Sequence, residues 1–208
     1  MRTWLHRAAN AAARPLAWAG VTPNQVTTLR MATGGAAAAL FMVGDSPWIH
    51  WGAGVFLLSF FLDHVDGEVA RLTGQTSPFG HNYDRIADAI VNLCVFLGIG
   101  IGLSDQIGFW SVALGAMAGI GAALGEILYL RMERVSPGEE VLHTWAGFQV
   151  DSAILVLCPM TWSGALSAFL FAAALGSPLF ALWALSRYRR LLNAHERPAD
   201  RFREAIDR

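Results

Sequence analysis

The chain has 208 residues, of which 54% are apolar and only 15% charged, against about 25% charged in soluble domains. Together with a mean hydropathy of +0.41, this excludes an ordinary water-soluble domain and indicates a chain that lives largely in lipid. The formal net charge is -1, so no bulk field argues for nucleic acid as a partner.

Residues 1–21 open with "MRTWLHRAANAAARPLAWAG". Arg7 and Arg14 interrupt the continuous apolar core that a signal peptide requires. The spacing instead predicts an amphipathic helix on the membrane surface, its arginines toward headgroups and Trp4, Leu5, Leu16 and Trp18 toward lipid. Apolar stretches near the bilayer-crossing length of about 20 residues follow at 25–44, 48–70, 81–103, 108–132, 148–163 and 165–188. A break at "PMTWSG" separates the last two. The expected fold class is therefore all-α and integral to the membrane: one domain over 1–208, with six transmembrane helices and a charged tail at 189–208 that Pro198 breaks.

Charge placement orients this bundle. Every basic residue is an arginine. They lie up to the start of the first span (Arg2, Arg7, Arg14, Arg30), between the second and third (Arg71, Arg85), between the fourth and fifth (Arg131, Arg134) and from Arg187 onward. None lies in "GDSPWIH", "LSDQIG" or "PMTWSG", the connections on the other face. The positive-inside rule then makes both termini and the segment 63–88 cytoplasmic, in a plasma (inner) membrane protein. Gly115/Gly119 and Gly121/Gly125 have the spacing that lets helix backbones approach closely. That suits packing inside the monomer or a seam between two copies, and a homodimer is expected. Cys94 and Cys158 have no metal or redox spacing and are read as free thiols.

"DHVDGEVARLTGQTSPFGHNYDRIAD", residues 63–88, stands apart from this apolar background. Helical residues advance about 100° each, so Asp63 and Asp66 share a face with Gly67 and Ala70, while Glu68 points away. In the next span Gly80, Asp84, Ala87 and Asp88 share a face. An aspartate at mid-membrane costs roughly 2.5–3.5 kcal/mol, and converging carboxylates repel one another. With no lysine available, and with Arg71 and Arg85 too few to balance four negative charges, the economical partner is a pair of divalent cations. An all-carboxylate set suits Mg2+, Mn2+ or Ca2+ rather than zinc; His64 and His81 fall on the wrong helical faces. Paired metals beside small residues suit phosphoryl chemistry, with Arg71 placed to pair with a phosphate.

The pattern Asp63-x-x-Asp66-Gly67-x-x-Ala70-Arg71, continued by Gly80, Asp84 and Asp88, resembles the signature of the CDP-alcohol phosphotransferases (CDP-alcohol phosphatidyltransferase family). The span layout and N-terminal surface helix are similar too. The resemblance implies attack of an alcohol on the β-phosphorus of a CDP-linked donor, with release of CMP. It implies Asp63, Asp66, Asp84 and Asp88 as ligands of two Mg2+ or Mn2+ ions, with Asp88 also the general base. Gly67, Ala70, Arg71 and Gly80 would line the donor site. "TPNQVT", with Thr22 as N-cap and Pro23 at the first helical position, also looks like the family's first-helix opening and would bring Asn24 and Thr27 to the nucleotide.

The acceptor is less legible. Arg131 and Arg134, on one face at the end of the fourth span, would suit a phosphorylated acceptor such as inositol phosphate or glycerol phosphate, although positive-inside flanking also explains arginines there. Glu126 could line the acceptor cavity or satisfy a neighbouring helix, and Asp151 opens the fifth span. The expected donor is CDP-diacylglycerol, the expected partners membrane lipid and a small polar alcohol. A soluble CDP-alcohol donor with a lipid acceptor is the alternative within the class. A cation transporter is the alternative outside it, disfavoured by the apolar outer halves of the spans.

Overall fold

A computed structural model describes the backbone of residues 4–135 and 155–206, and the side chains of 5–135 and 155–193. Among the described residues all regular structure is helical: α1 (Trp4–Trp18), α2 (Pro23–Val43), α3 (Ser46–Thr73), α4 (Pro78–Gly102), α5 (Ser104–Ile107), α6 (Trp110–Val135), α7 (Leu157–Trp162) and α8 (Leu166–Ile206). Four helices among the described residues, α2, α4, α6 and the Leu166–Asn193 part of α8, are long and apolar enough to cross a membrane. The second expected span forms as α3 but is not in that group; Asp63, Asp66, Glu68 and Arg71 place four charges in its last eleven residues. The first part of the fifth expected span, including Asp151, lies outside the described residues.

Local chemistry sets the helix ends. Thr22 and Gln25 form a reciprocal capping box at the start of α2, with Pro23 as its first residue. Ser77 caps α4 by accepting from Gly80 N at 3.0 Å. Gly44 and Gly74 end α2 and α3 with φ of +80° and +67°, the left-handed region that glycine enters without penalty. Short connections make α2, α3 and α4 alternate in direction. The start of α2, the end of α3, the start of α4 and the end of α6 therefore meet at one end of the bundle, tied by Thr28–Tyr83 at 2.9 Å, Arg134–Asn82 at 2.8 Å and His81–Glu133 at 2.9 Å.

Glycine lets the far end close. A methyl built on Gly98 would collide with the Ala38 carbonyl, and one on Gly100 would stand 2.6 Å from the Ser111 carbonyl oxygen. Both pairs of α6 glycines work inside the monomer: Gly115 and Gly119 face α4 at Gly100 and Leu93, and Gly121 and Gly125 face α8 at Pro178 and Phe180. The main core joins Phe41, Phe56, Val95, Phe96, Ile99, Leu157, Cys158 and Leu170; Cys94 packs against its edge, and both cysteines are free thiols. Around it Leu57, Leu58, Ile86, Ile90, Ile120, Leu124, Leu175 and Leu182 stay exposed, a periphery suited to hydrocarbon rather than water.

Two expectations are corrected at the chain ends. In α1, Ala9 and Ala13 are fully buried against Val65 and Val69, and Leu16 packs on that same cluster instead of facing outward. The small alanine face lets α1 lie close on α3, carrying Leu16 inward while Trp18 remains exposed. The tail does not break at Pro198: α8 is continuous from Leu166 to Ile206. A proline removes one intrahelical donor, and the flanking Ala, Glu, Arg and Leu are strong helix formers.

Candidate active site

Three helix ends assemble the site. The capping box fixes the first turn of α2, so that Asn24 and Thr27 face α3 and α4; Thr27 Oγ1 donates to Asp66 Oδ2 at 2.8 Å. From α3 come Asp63 and Asp66, and from α4 come Asp84 and Asp88. One carboxylate oxygen from each of Asp63, Asp66 and Asp84 lies within 4.8 Å of the other two, the group among the described residues suited to a metal ion. Asp84 Oδ1 is buried and accepts no hydrogen bond. An all-oxygen set in which this buried carboxylate oxygen has an ion pair with Arg30 at 3.3 Å but no hydrogen bond fits a hard divalent cation. Among the described residues no histidine joins the three: His64 Nδ1 is 3.1 Å from the Phe60 carbonyl and 3.6 Å from Asp63 Oδ2, and His81 pairs with Glu133.

Asp88 is placed differently. Its Oδ1 accepts from Arg30 Nη1 at 2.9 Å, and its Oδ2 lies 3.7 Å from Arg85 Nη1. Arg30 also pairs with Asp63, stands 3.3 Å from Asp84 Oδ1 and donates from Nη2 to the Asp84 carbonyl at 3.1 Å. At 2% exposure it is the buried counter-ion of the acidic group. From the sequence Arg30 serves only to orient the bundle, and this role is not among the expectations. The available signal was an arginine two turns into an apolar helix, where a charge must find partners. Arg85 lies 3.5 Å from Glu126 and stacks over Tyr129 at 4.9 Å, tying α4 to α6.

Two cavities flank the acids. The first, of about 260 Å³, is lined by Asn24, Thr27, Asp66, Gly67, Ala70, Arg71, Gly80 and Asp84, among others. All six residues expected at the donor site therefore face one space. Small side chains keep it open: a methyl on Gly80 would stand 3.2 Å from Ser77 Oγ and 3.3 Å from Asn24 Oδ1. The second, of about 160 Å³, is lined by Arg30, Asp63, Arg85, Asp88, Asn92 and Glu126 over an apolar floor of Phe56, Phe60 and Val91. Asp66, Gly67 and Asp84 line both. Arg131 and Arg134 line neither; both are exposed, and Arg134 donates to Asn82.

A family model described as CDP-alcohol phosphatidyltransferase matches residues 20–185. The chain belongs to this family. Within the family, it is 36% identical over 80 residues to a CDP-diacylglycerol–glycerol-3-phosphate 3-phosphatidyltransferase of Cereibacter sphaeroides, the match covering 36% of each chain. It is 33% identical over 90 residues to an archaetidylinositol phosphate synthase of Pyrococcus horikoshii, covering 43% of this chain and 46% of that one. The matched segment thus spans less than half the length of these relatives. Among solved structures, phosphatidylinositol phosphate synthase of Mycobacterium tuberculosis with CDP-DAG bound superposes with a TM-score of 0.71 at 22% identity, over 88% of this chain and 94% of that one. The same protein with manganese and citrate gives 0.63 at 24% identity, over 86% and 88%. At these identities the likeness establishes a shared fold.

Proposed function

We propose that this protein transfers a phosphatidyl group from CDP-diacylglycerol to the hydroxyl of a small polar alcohol, releasing CMP, as a step of phospholipid biosynthesis. The observation that carries this reading is the first cavity, in which Asn24, Thr27, Gly67, Ala70, Arg71 and Gly80 surround Asp66 and Asp84. Gly67, Ala70 and Gly80 would let the nucleotide approach the backbone, and Arg71 would pair with its phosphates. Asp63, Asp66 and Asp84 would hold a divalent cation, Mg2+ or Mn2+, and Asp88 would share in a second. Bound there, such ions neutralise phosphate oxygens and stabilise the charge that develops during transfer.

An in-line displacement puts nucleophile and leaving group on opposite sides of the phosphorus. With the nucleotide in the first cavity, the acceptor would enter the second, where Asp88 would take its proton as the hydroxyl oxygen bonds to the β-phosphorus and the bond to CMP breaks. The names of the C. sphaeroides and P. horikoshii relatives support glycerol phosphate or inositol phosphate as acceptor. Arg131 and Arg134, exposed beside the opening, would draw such an anion inward. The apolar periphery and arginine placement support six spans, cytoplasmic termini and a site opening to the cytoplasm from the inner membrane. The assembly proposed is a homodimer, for which the α6 glycines give no support because both pairs pack inside the monomer.

The test is CMP release by the purified protein with CDP-diacylglycerol, Mg2+ or Mn2+, and glycerol phosphate, inositol phosphate, inositol or serine. CMP appearing with one acceptor and vanishing with EDTA is the expected result. Absence of both CMP release and metal-dependent donor binding would overturn the reading.

A further inference from the structure

Helix α1 ends before the region that the family model matches, 20–185, yet it reaches the first cavity through a buried carboxylate. Glu68 follows Asp66 and Gly67 on α3, turns away from the aspartates and is 3% exposed. Its Oε2 accepts from Asn10 Nδ2 of α1 at 3.1 Å, and His6 Nδ1, one turn earlier, lies 3.8 Å from its Oε1. That same Oε1 accepts from Arg71 Nη2 at 2.9 Å. Arg71 itself is 55% exposed, and its guanidinium lies 3.7 Å from where a methyl on Gly67 would stand.

Docking of α1 needs no acid: Ala9 and Ala13 already bury themselves on Val65 and Val69. A carboxylate buried beneath that contact is unfavourable unless its partners hold it, so its placement calls for a reason beyond packing. An exposed arginine samples many rotamers and loses that freedom when it binds a ligand. A carboxylate fixed from behind by a second helix removes part of that loss beforehand.

We infer that Glu68 is a positioning residue for the donor: anchored by Asn10 of α1, it holds the Arg71 guanidinium over Gly67, where the diphosphate of a CDP-linked donor arrives. The inference rests on the donor reading above and extends the functional site to a helix outside the matched region. It is tested on the full chain in detergent, from CMP release against CDP-diacylglycerol concentration for Glu68→Gln, Asn10→Ala, Arg71→Ala and the two double variants with Arg71→Ala. Glu68→Gln should raise the donor KM about three- to tenfold, the range for losing one preorganised side chain, with kcat nearly unchanged. Asn10→Ala should do the same about two- to threefold, and neither change should add measurably once Arg71 is alanine. A merely structural role would lower kcat through the folded fraction and act equally in both backgrounds, which overturns the inference. So would an unchanged KM for Glu68→Gln alongside a raised one for Arg71→Ala. If Arg71→Ala itself left the donor KM unchanged, the donor assignment of the cavity would fail first. Should Glu68→Gln not fold, Asn10→Ala on the half-buried face of α1 carries the same test.

Discussion

Arg30 on α2 and Asp88 on α4 are joined at 2.9 Å by a guanidinium nitrogen that also pairs with Asp63 of α3. One buried cation thereby links carboxylates from two helices to a third, and removing it would leave those acids uncompensated. Arg30→Leu should lower unfolding stability by about 3–5 kcal/mol, as for a buried pair stripped of one partner. Thermal melting of the detergent-solubilised protein measures this, and added Mn2+ should restore part of the loss. Arg30→Lys keeps the charge without the planar fork and should fall between. A Leu variant as stable as the parent would show that the acids do not depend on Arg30.

Asp84 and Asp88 should separate in their effects. Asp84→Asn removes a member of the three-carboxylate group and should weaken Mn2+ binding, read by calorimetry or by the paramagnetic signal of the ion. Asp88→Asn should lower turnover by about 10²–10⁴-fold, the usual contribution of a general base, while donor binding stays close to normal. Normal turnover in Asp88→Asn would remove it as the base.

Much of this was legible because a helix converts spacing into direction. Asp63, Asp66, Gly67 and Ala70 were assigned one face from 100° per residue, and the last three line one cavity; Glu68 was assigned the opposite side and is found there. Residues whose meaning depends on a neighbouring helix were not legible. Arg30 counted toward topology, although its partners lie 33 to 58 positions away. Leu16 faces inward because Ala9 and Ala13 fit closely on α3, a complementarity of size that hydrophobicity does not report. The arginines ending α6 share a face as expected, but spacing within α6 does not say on which side the cavity lies.

Two glycines should fail in different ways. Gly80→Ala places a methyl 3.2 Å from Ser77 Oγ at the wall of the first cavity, so donor KM should rise several-fold with little change in melting temperature. Gly98→Ala drives a methyl into the Ala38 backbone, far from the acids. It should destabilise by about 1–3 kcal/mol, the range for overpacking, and leave the donor KM of the folded fraction alone. If both changed only stability, Gly80 would have no part in donor binding.

Arg131 and Arg134 line neither cavity, so their proposed influence on an anionic acceptor is through field rather than contact. Arg131→Gln combined with Arg134→Gln should raise acceptor KM at low salt. The difference should disappear near 0.5 M salt, where screening cuts exposed charges off within about 4–5 Å. A difference that persisted at high salt would indicate direct contact.

The two cavities meet only at Asp66, Gly67 and Asp84. Neither occupant needs to vacate its space before the other enters, and no nucleophilic side chain need carry the phosphatidyl group between them. Both substrates should therefore be present together at the moment of transfer. Initial rates measured across donor and acceptor concentrations should give intersecting double-reciprocal lines, the pattern of a ternary complex, whereas a covalent relay would give parallel ones.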